Sequence, residues 1–134
     1  MPTTYSKGHF KLLQEALKDK AFELLSKCSS VGEMRRLDRK YRLKRNALNI
    51  VSKEYAILYK NTKGNISENS LSMSAINDTT NIILKSNDRH VINRSIRLMK
   101  AKIRIDIKGF GYYDIWRIRK KIWKFCSRMV FLSQ

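Results

Sequence analysis

After Pro2 the chain contains no proline, so nothing later in it removes a helix donor or clashes with a preceding helical turn. Every segment beyond the first two residues is free to run as helix, and its apolar residues are spaced as helices require. Phe10, Leu13, Leu17, Ala21 and Leu24 recur at three- and four-residue steps, which predicts a helix from about Lys7 to Lys27 with one buried face. Ser29 to Glu33 then reads as a break, and Ser30 with Glu33 fits a capping box.

The second helix, about Val31 to Lys60, carries the most regular seam: Met34, Leu37, Tyr41, Lys44, Leu48, Val51, Tyr55 and Leu58. Alternating steps of three and four suit a helical hairpin, or a short coiled coil that would pair two copies as a homodimer. Lys44 is the one charge in that seam. It is expected either to snorkel outward or to mark a break.

From Asn61 to Asn87 the chain turns to Asn, Ser and Thr, and Lys63 and Lys85 are balanced by Glu68 and Asp78. This reads as a long loop or hinge, with a weak helix around Leu71–Leu84 as the alternative. Between Asp88 and Lys108, Val91, Ile92, Ile96, Met99 and Ile103 suit a helix capped by Asn87 or Asp88. Ile103, Ile105 and Ile107 also alternate with charged residues, as in a short strand. The helix is favoured, ending before a turn at Gly109–Phe110–Gly111. A last helix, Asp114 to Leu132, would bury Ile115, Ile118, Ile122, Phe125, Met129 and Leu132. The fold class is therefore mainly α: a bundle of three to four helices, with a strand near 103–107 as the alternative. The chain divides into an N-terminal helical hairpin (1–60), a polar linker or weakly helical segment (61–87) and a basic, aromatic-rich region (88–134).

Charge narrows the function. Twenty-nine Lys and Arg face eleven acids, for a net charge of +18 and a pI near 10.3. Such an excess opposes compaction and draws the protein to anions. The cations are also gathered. Arg35, Arg36, Arg39, Lys40, Arg42 and Arg45 crowd one stretch of the second helix, with Asp38 the acid among them. Arg35, Arg39 and Arg42 fall within about 60° of one another on a helix. Arginine's planar fork suits phosphate. Arg117, Lys120, Lys121, Lys124 and Arg128 form a second cluster, and Arg89, Arg94, Arg97, Lys100, Lys102 and Arg104 a third. Helices that merely face water interleave acids at i,i+4, and here acids are scarce just where the cations concentrate.

Trp116 and Trp123 stand seven apart on the last helix, away from its apolar seam. Burial against the first helices or a second subunit is the first reading for them, and stacking on bases the second. No zinc-finger spacing, RNP motif or GXXG loop is present. The break between the first two helices would allow a helix-turn-helix, with Met34 to Arg45 reaching a groove. Two histidines, two cysteines and scattered acids predict no metal, no cofactor and no catalysis. The first residues are polar with no apolar core of a signal peptide, and no stretch approaches the roughly 20 apolar residues of a membrane span. The expected location is inside the cell, in the cytoplasm or on the nucleoid or nucleus. The expected partner is DNA or RNA, with a lean to duplex DNA and to transcription regulation. An acidic protein and a ribonucleoprotein are the alternatives.

Overall fold

The computed structural model describes residues 7–67, 69–108, 120, 121 and 123. Those residues hold four helices and no strand: α1 (Lys7–Ser26), α2 (Val31–Thr62), α3 (Leu71–Lys85) and α4 (Arg89–Lys108). The turn expected at 109–111 lies outside them, as does most of the helix expected from Asp114, of which Lys120, Lys121 and Trp123 are described and helical.

Cap chemistry sets the helix ends. Ser30 begins α2, and its hydroxyl accepts the Glu33 N–H at 3.2 Å. The Glu33 carboxylate closes the box one residue upstream of the cap, accepting the Ser29 N–H at 3.3 Å. At the far end Lys63 adopts the left-handed conformation (φ 53°), and the Gly64 N–H donates to the Tyr59 carbonyl at 2.9 Å, a Schellman closure. Gly64 itself has φ 80°, and a Cβ there would sit 3.1 Å from the Tyr59 ring. Asp88 caps α4, its carboxylate accepting the His90 N–H at 2.9 Å.

α1 and α2 form an antiparallel hairpin. Phe10 meets Tyr55, with ring centroids 5.7 Å apart, while further along Ala21 and Tyr41 line one groove. Helices that pack along their lengths in this way do not cross as a helix-turn-helix does, so that reading is replaced by the hairpin. The expected seam is buried from Tyr41 to Leu58, with Tyr55 half-exposed; Met34, at its start, is exposed.

Two points left open by the sequence are decided here. The first is the choice between helix and strand near 103–107: the favoured helix forms and runs to Lys108, and Ile103 is buried four residues after Met99. A strand there would have no described partner for its backbone groups, whereas a helix pairs its own. Ile107 flanks the buried stripe and Ile105 lies about 160° from Ile103, nearly across α4; both are half-buried. The second concerns Lys44, which neither snorkels nor breaks α2. It is 6% exposed, and its ammonium donates to the Leu84 carbonyl in the last turn of α3 at 2.8 Å.

The polar segment resolves into a connection and a helix, and of its two readings the helical one describes 71–85. Met73, Ala75, Ile76 and Ile83 enter the same core as Phe10, Leu48, Val51, Ile92 and Met99. Ser72, Thr79 and Thr80 are buried too. The Thr80 hydroxyl donates to the Ile76 carbonyl at 2.7 Å, and the Ser95 hydroxyl donates to Thr79 Oγ1 at 3.0 Å. Small polar side chains thus let α3 and α4 approach closely while the hydroxyls of Thr79, Thr80 and Ser95 find partners; the buried Ser72 hydroxyl has none. Side chains also hold α3 at both ends. Ser70 accepts the Met73 N–H at 3.1 Å, Asp106 of α4 accepts the Ser72 N–H at 2.8 Å, and Lys44 of α2 serves the other end. A carboxylate at the N-terminus and an ammonium at the C-terminus both oppose the helix dipole favourably. α3 is about 22 Å long and α2 about 48 Å. With the end of α3 beside Lys44, the first turns of α2 extend past it as a two-helix arm with α1.

Burial pushes the Lys44 ammonium below its ordinary value of 10.5, and the charges of Lys40 and Lys20 add to the shift. Between the folded and unfolded values the unfolded chain holds the extra proton, so stability should rise with pH there. The wild type is expected to gain stability relative to Lys44→Met as pH climbs toward 10.5, measured by paired urea titrations. The pairing cancels Tyr55, whose hydroxyl is pushed up by burial and by Tyr59. A difference that stays flat with pH would contradict the buried ammonium. Lys44→Ala should cost about 2–4 kcal/mol and Asp106→Ala about 1 kcal/mol. The two losses should add, because the sites lie at opposite ends of α3. A Lys44→Ala protein as stable as the wild type would show that the bond to Leu84 does not hold α3.

Candidate nucleic-acid interface

Contacts with α3 orient the cationic faces of α2 and α4. On α2, Lys44 points toward α3. At 100° per residue, Arg35 and Lys53 lie about 180° from Lys44, with Arg39, Arg42, Asn46, Asn49 and Lys60 within about 40° of Arg35. All seven are exposed. On α4, Ser95 and Asp106 point toward α3. Arg97, Arg104 and Lys108 cluster about 180° from that edge, with Arg94 a little further round; these four are exposed as well. α2 and α4 pack on each other and on α3. Their two ridges therefore both point away from α3 and share one side of the molecule. The outer face of α3, with Ser74, Asp78, Asn81 and Lys85 exposed, has one acid and one cation.

The charges on the ridges are barely compensated. Among the described residues there are two ion pairs, Lys27–Glu23 at 3.4 Å and Arg42–Asp38 at 3.1 Å, each between residues four apart in sequence and exposed. Arg35, Arg36, Arg39, Arg97 and Arg104 are in neither. α2 carries nine Lys and Arg against three acids, and α4 seven against one. The one acid of α4, Asp106, is bonded to the start of α3.

Of the residues singled out in the sequence, Arg35, Arg39 and Arg42 stand together on the α2 ridge. Arg36 is exposed about 100° from Arg35. Lys40 is half-buried, its ammonium 5.7 Å from the centre of the Tyr41 ring. Arg45 is half-buried in the groove between α1 and α2. Lys120 and Lys121 are helical and exposed. Arg117, Lys124 and Arg128 lie outside the described residues, as does Trp116. Trp123 is 73% exposed, so within this chain it is not packed against the first helices.

Sequence reasoning missed Lys53, Lys60 and Lys108, which extend the ridges, and the groove residues Lys11 and Lys18. The spacing of Arg35, Arg39, Arg42, Asn46, Asn49, Lys53 and Lys60 at three-, four- and seven-residue steps was the available signal. Among the described residues no three His, Cys, Asp or Glu gather where they would hold a metal ion, and no helix is long and apolar enough to cross a membrane. No family model, curated protein or solved structure matches this chain.

Proposed function

We propose that this protein acts by binding nucleic acid, not by catalysis, laying the joint α2–α4 face on phosphates. The observation that carries the reading is the one-sided charge: exposed, largely unpaired Arg and Lys from two adjacent helices point one way, and the α3 face opposite is neutral. Arginine dominates the arm end of α2, where bidentate bonds to phosphate would form. From Arg35 to Lys60 the α2 ridge measures about 37 Å, close to one turn of duplex at about 34–36 Å. That match favours duplex DNA, and a small transcription regulator is the role it suggests. A second reading, an acidic protein partner, draws on Val91 and Leu98, exposed on α4 between Arg94 and Lys102.

Neutralising about 6–10 phosphates should cost roughly three to five decades of affinity for a short duplex between 50 and 200 mM salt. Arg35, Arg39 and Arg42→Ala together should lower the salt slope by about 2–3 with helix content unchanged by circular dichroism. Arg97, Arg104 and Lys108→Ala should do the same, and Lys85→Ala on the neutral face should change nothing. Wild-type binding by both triple variants would overturn the reading. Stoichiometric recovery of an acidic protein after nuclease treatment would favour the second one.

A further inference from the structure

A groove runs between α1 and α2 beside the phosphate-facing ridge, in two chambers that share Lys18 and Arg45. The first chamber, about 420 Å³, is polar and basic. Lys11 and Lys18 line it from α1 and Arg45 from α2, with the amides of Gln14, Asn46 and Asn49 alongside and Glu15 as its single acid. Asn46 and Asn49 also belong to the α2 ridge, so the chamber opens directly from it. The second chamber, about 640 Å³, has an apolar wall of Ala21, Leu25 and Tyr41, and Phe22 stands beside them with its residue 78% exposed. Its charges balance: Lys18, Arg42 and Arg45 against Asp19, Glu23 and Asp38. Two of those carboxylates are engaged, Glu23 with Lys27 and Asp38 with Arg42. Asp19 takes part in neither pair.

The chambers ask for different ends of one ligand. Three cations in the first call for a ligand with spaced negative charge. The second would repel a phosphate through its carboxylates, but it offers a flat aromatic surface and an acceptor. A nucleotide has this division: a charged backbone, and a neutral planar base with amino donors on its edge.

We propose that the groove holds an unpaired stretch of nucleic acid, an inference that rests on the nucleic-acid reading above. The backbone lies along Lys11, Lys18 and Arg45, and the amides of Gln14, Asn46 and Asn49 bond to sugar and base edges. One base stacks on Phe22, as bases do on exposed rings in single-strand binders. The Asp19 carboxylate accepts a hydrogen bond from the exocyclic amino group of that base, the pairing that acidic side chains make with cytosine N4. Cytosine is then preferred over thymine, which has no amino group.

The test uses the full chain with labelled oligo-dC and oligo-dT of about eight nucleotides, a site size within the range of single-strand binders, and with a short duplex of mixed sequence. Wild-type protein should bind oligo-dC more tightly than oligo-dT. Phe22→Ala, at a side chain the core does not use, should weaken both octamers about 10-fold or more and leave duplex affinity unchanged. Asp19→Asn should erase the preference for oligo-dC without weakening oligo-dT. Octamer binding that ignores Phe22→Ala overturns the groove. So does a wild type that binds duplex but neither octamer, and that result leaves the α2–α4 reading standing. Octamer binding that depends on Phe22, with no duplex binding, would uphold the groove and sink the duplex face instead.

Discussion

The buried ammonium of Lys44 on the Leu84 carbonyl ties the end of α3 to α2 beside the core that all four helices share. A charge inside a helical seam is costly to desolvate, and the downward shift of its pKa expresses that cost. The return is a charge-assisted hydrogen bond to one of the carbonyls that a helix end leaves without an intrahelical partner. Asp106 completes the arrangement at the other end of α3. Held at both ends, α3 becomes the back wall against which α2 and α4 lie side by side. The cationic ridges on their outward faces then point away from α3.

Five of the nine acids among the described residues are occupied with structure. Glu33 and Asp88 serve helix starts, Asp106 serves α3, and Glu23 and Asp38 each hold a cation one turn away. What remains outward on α2 and α4 is nearly all positive. Crowding those cations on one side opposes folding through self-repulsion, while the shared hydrophobic core, from Phe10 to Ile103, works against that repulsion. An anionic surface laid on the ridges would relieve the repulsion, which is the physical sense of the proposed function.

Much of the fold could be read along the chain, and particular residues show where reading failed. Helices α1, α2 and α4 announced themselves through apolar steps of three and four and through Ser30 and Asp88 at their starts. α3 was understated because half of its buried face is Ser and Thr, which resemble loop residues until their hydroxyls are seen bonded to Ile76 and paired with Ser95. Lys44 was misjudged because its partner lies forty residues away. The groove was invisible because Lys11 and Lys18 sit among Glu15 and Asp19, so α1 looked balanced. Only the packing of α2 separates the basic chamber from the mixed one.

Helix type, helix ends and the clustering of cations are local properties. They follow from backbone bonding, cap chemistry and spacing within one or two turns, and the amino acids alone settle them. That two basic ridges face the same way, that the opposite face is neutral, and that a groove joins α1 to α2 are relations between distant segments. They were decided by which buried contacts could be satisfied together, above all the anchoring of α3 by Lys44 and Asp106.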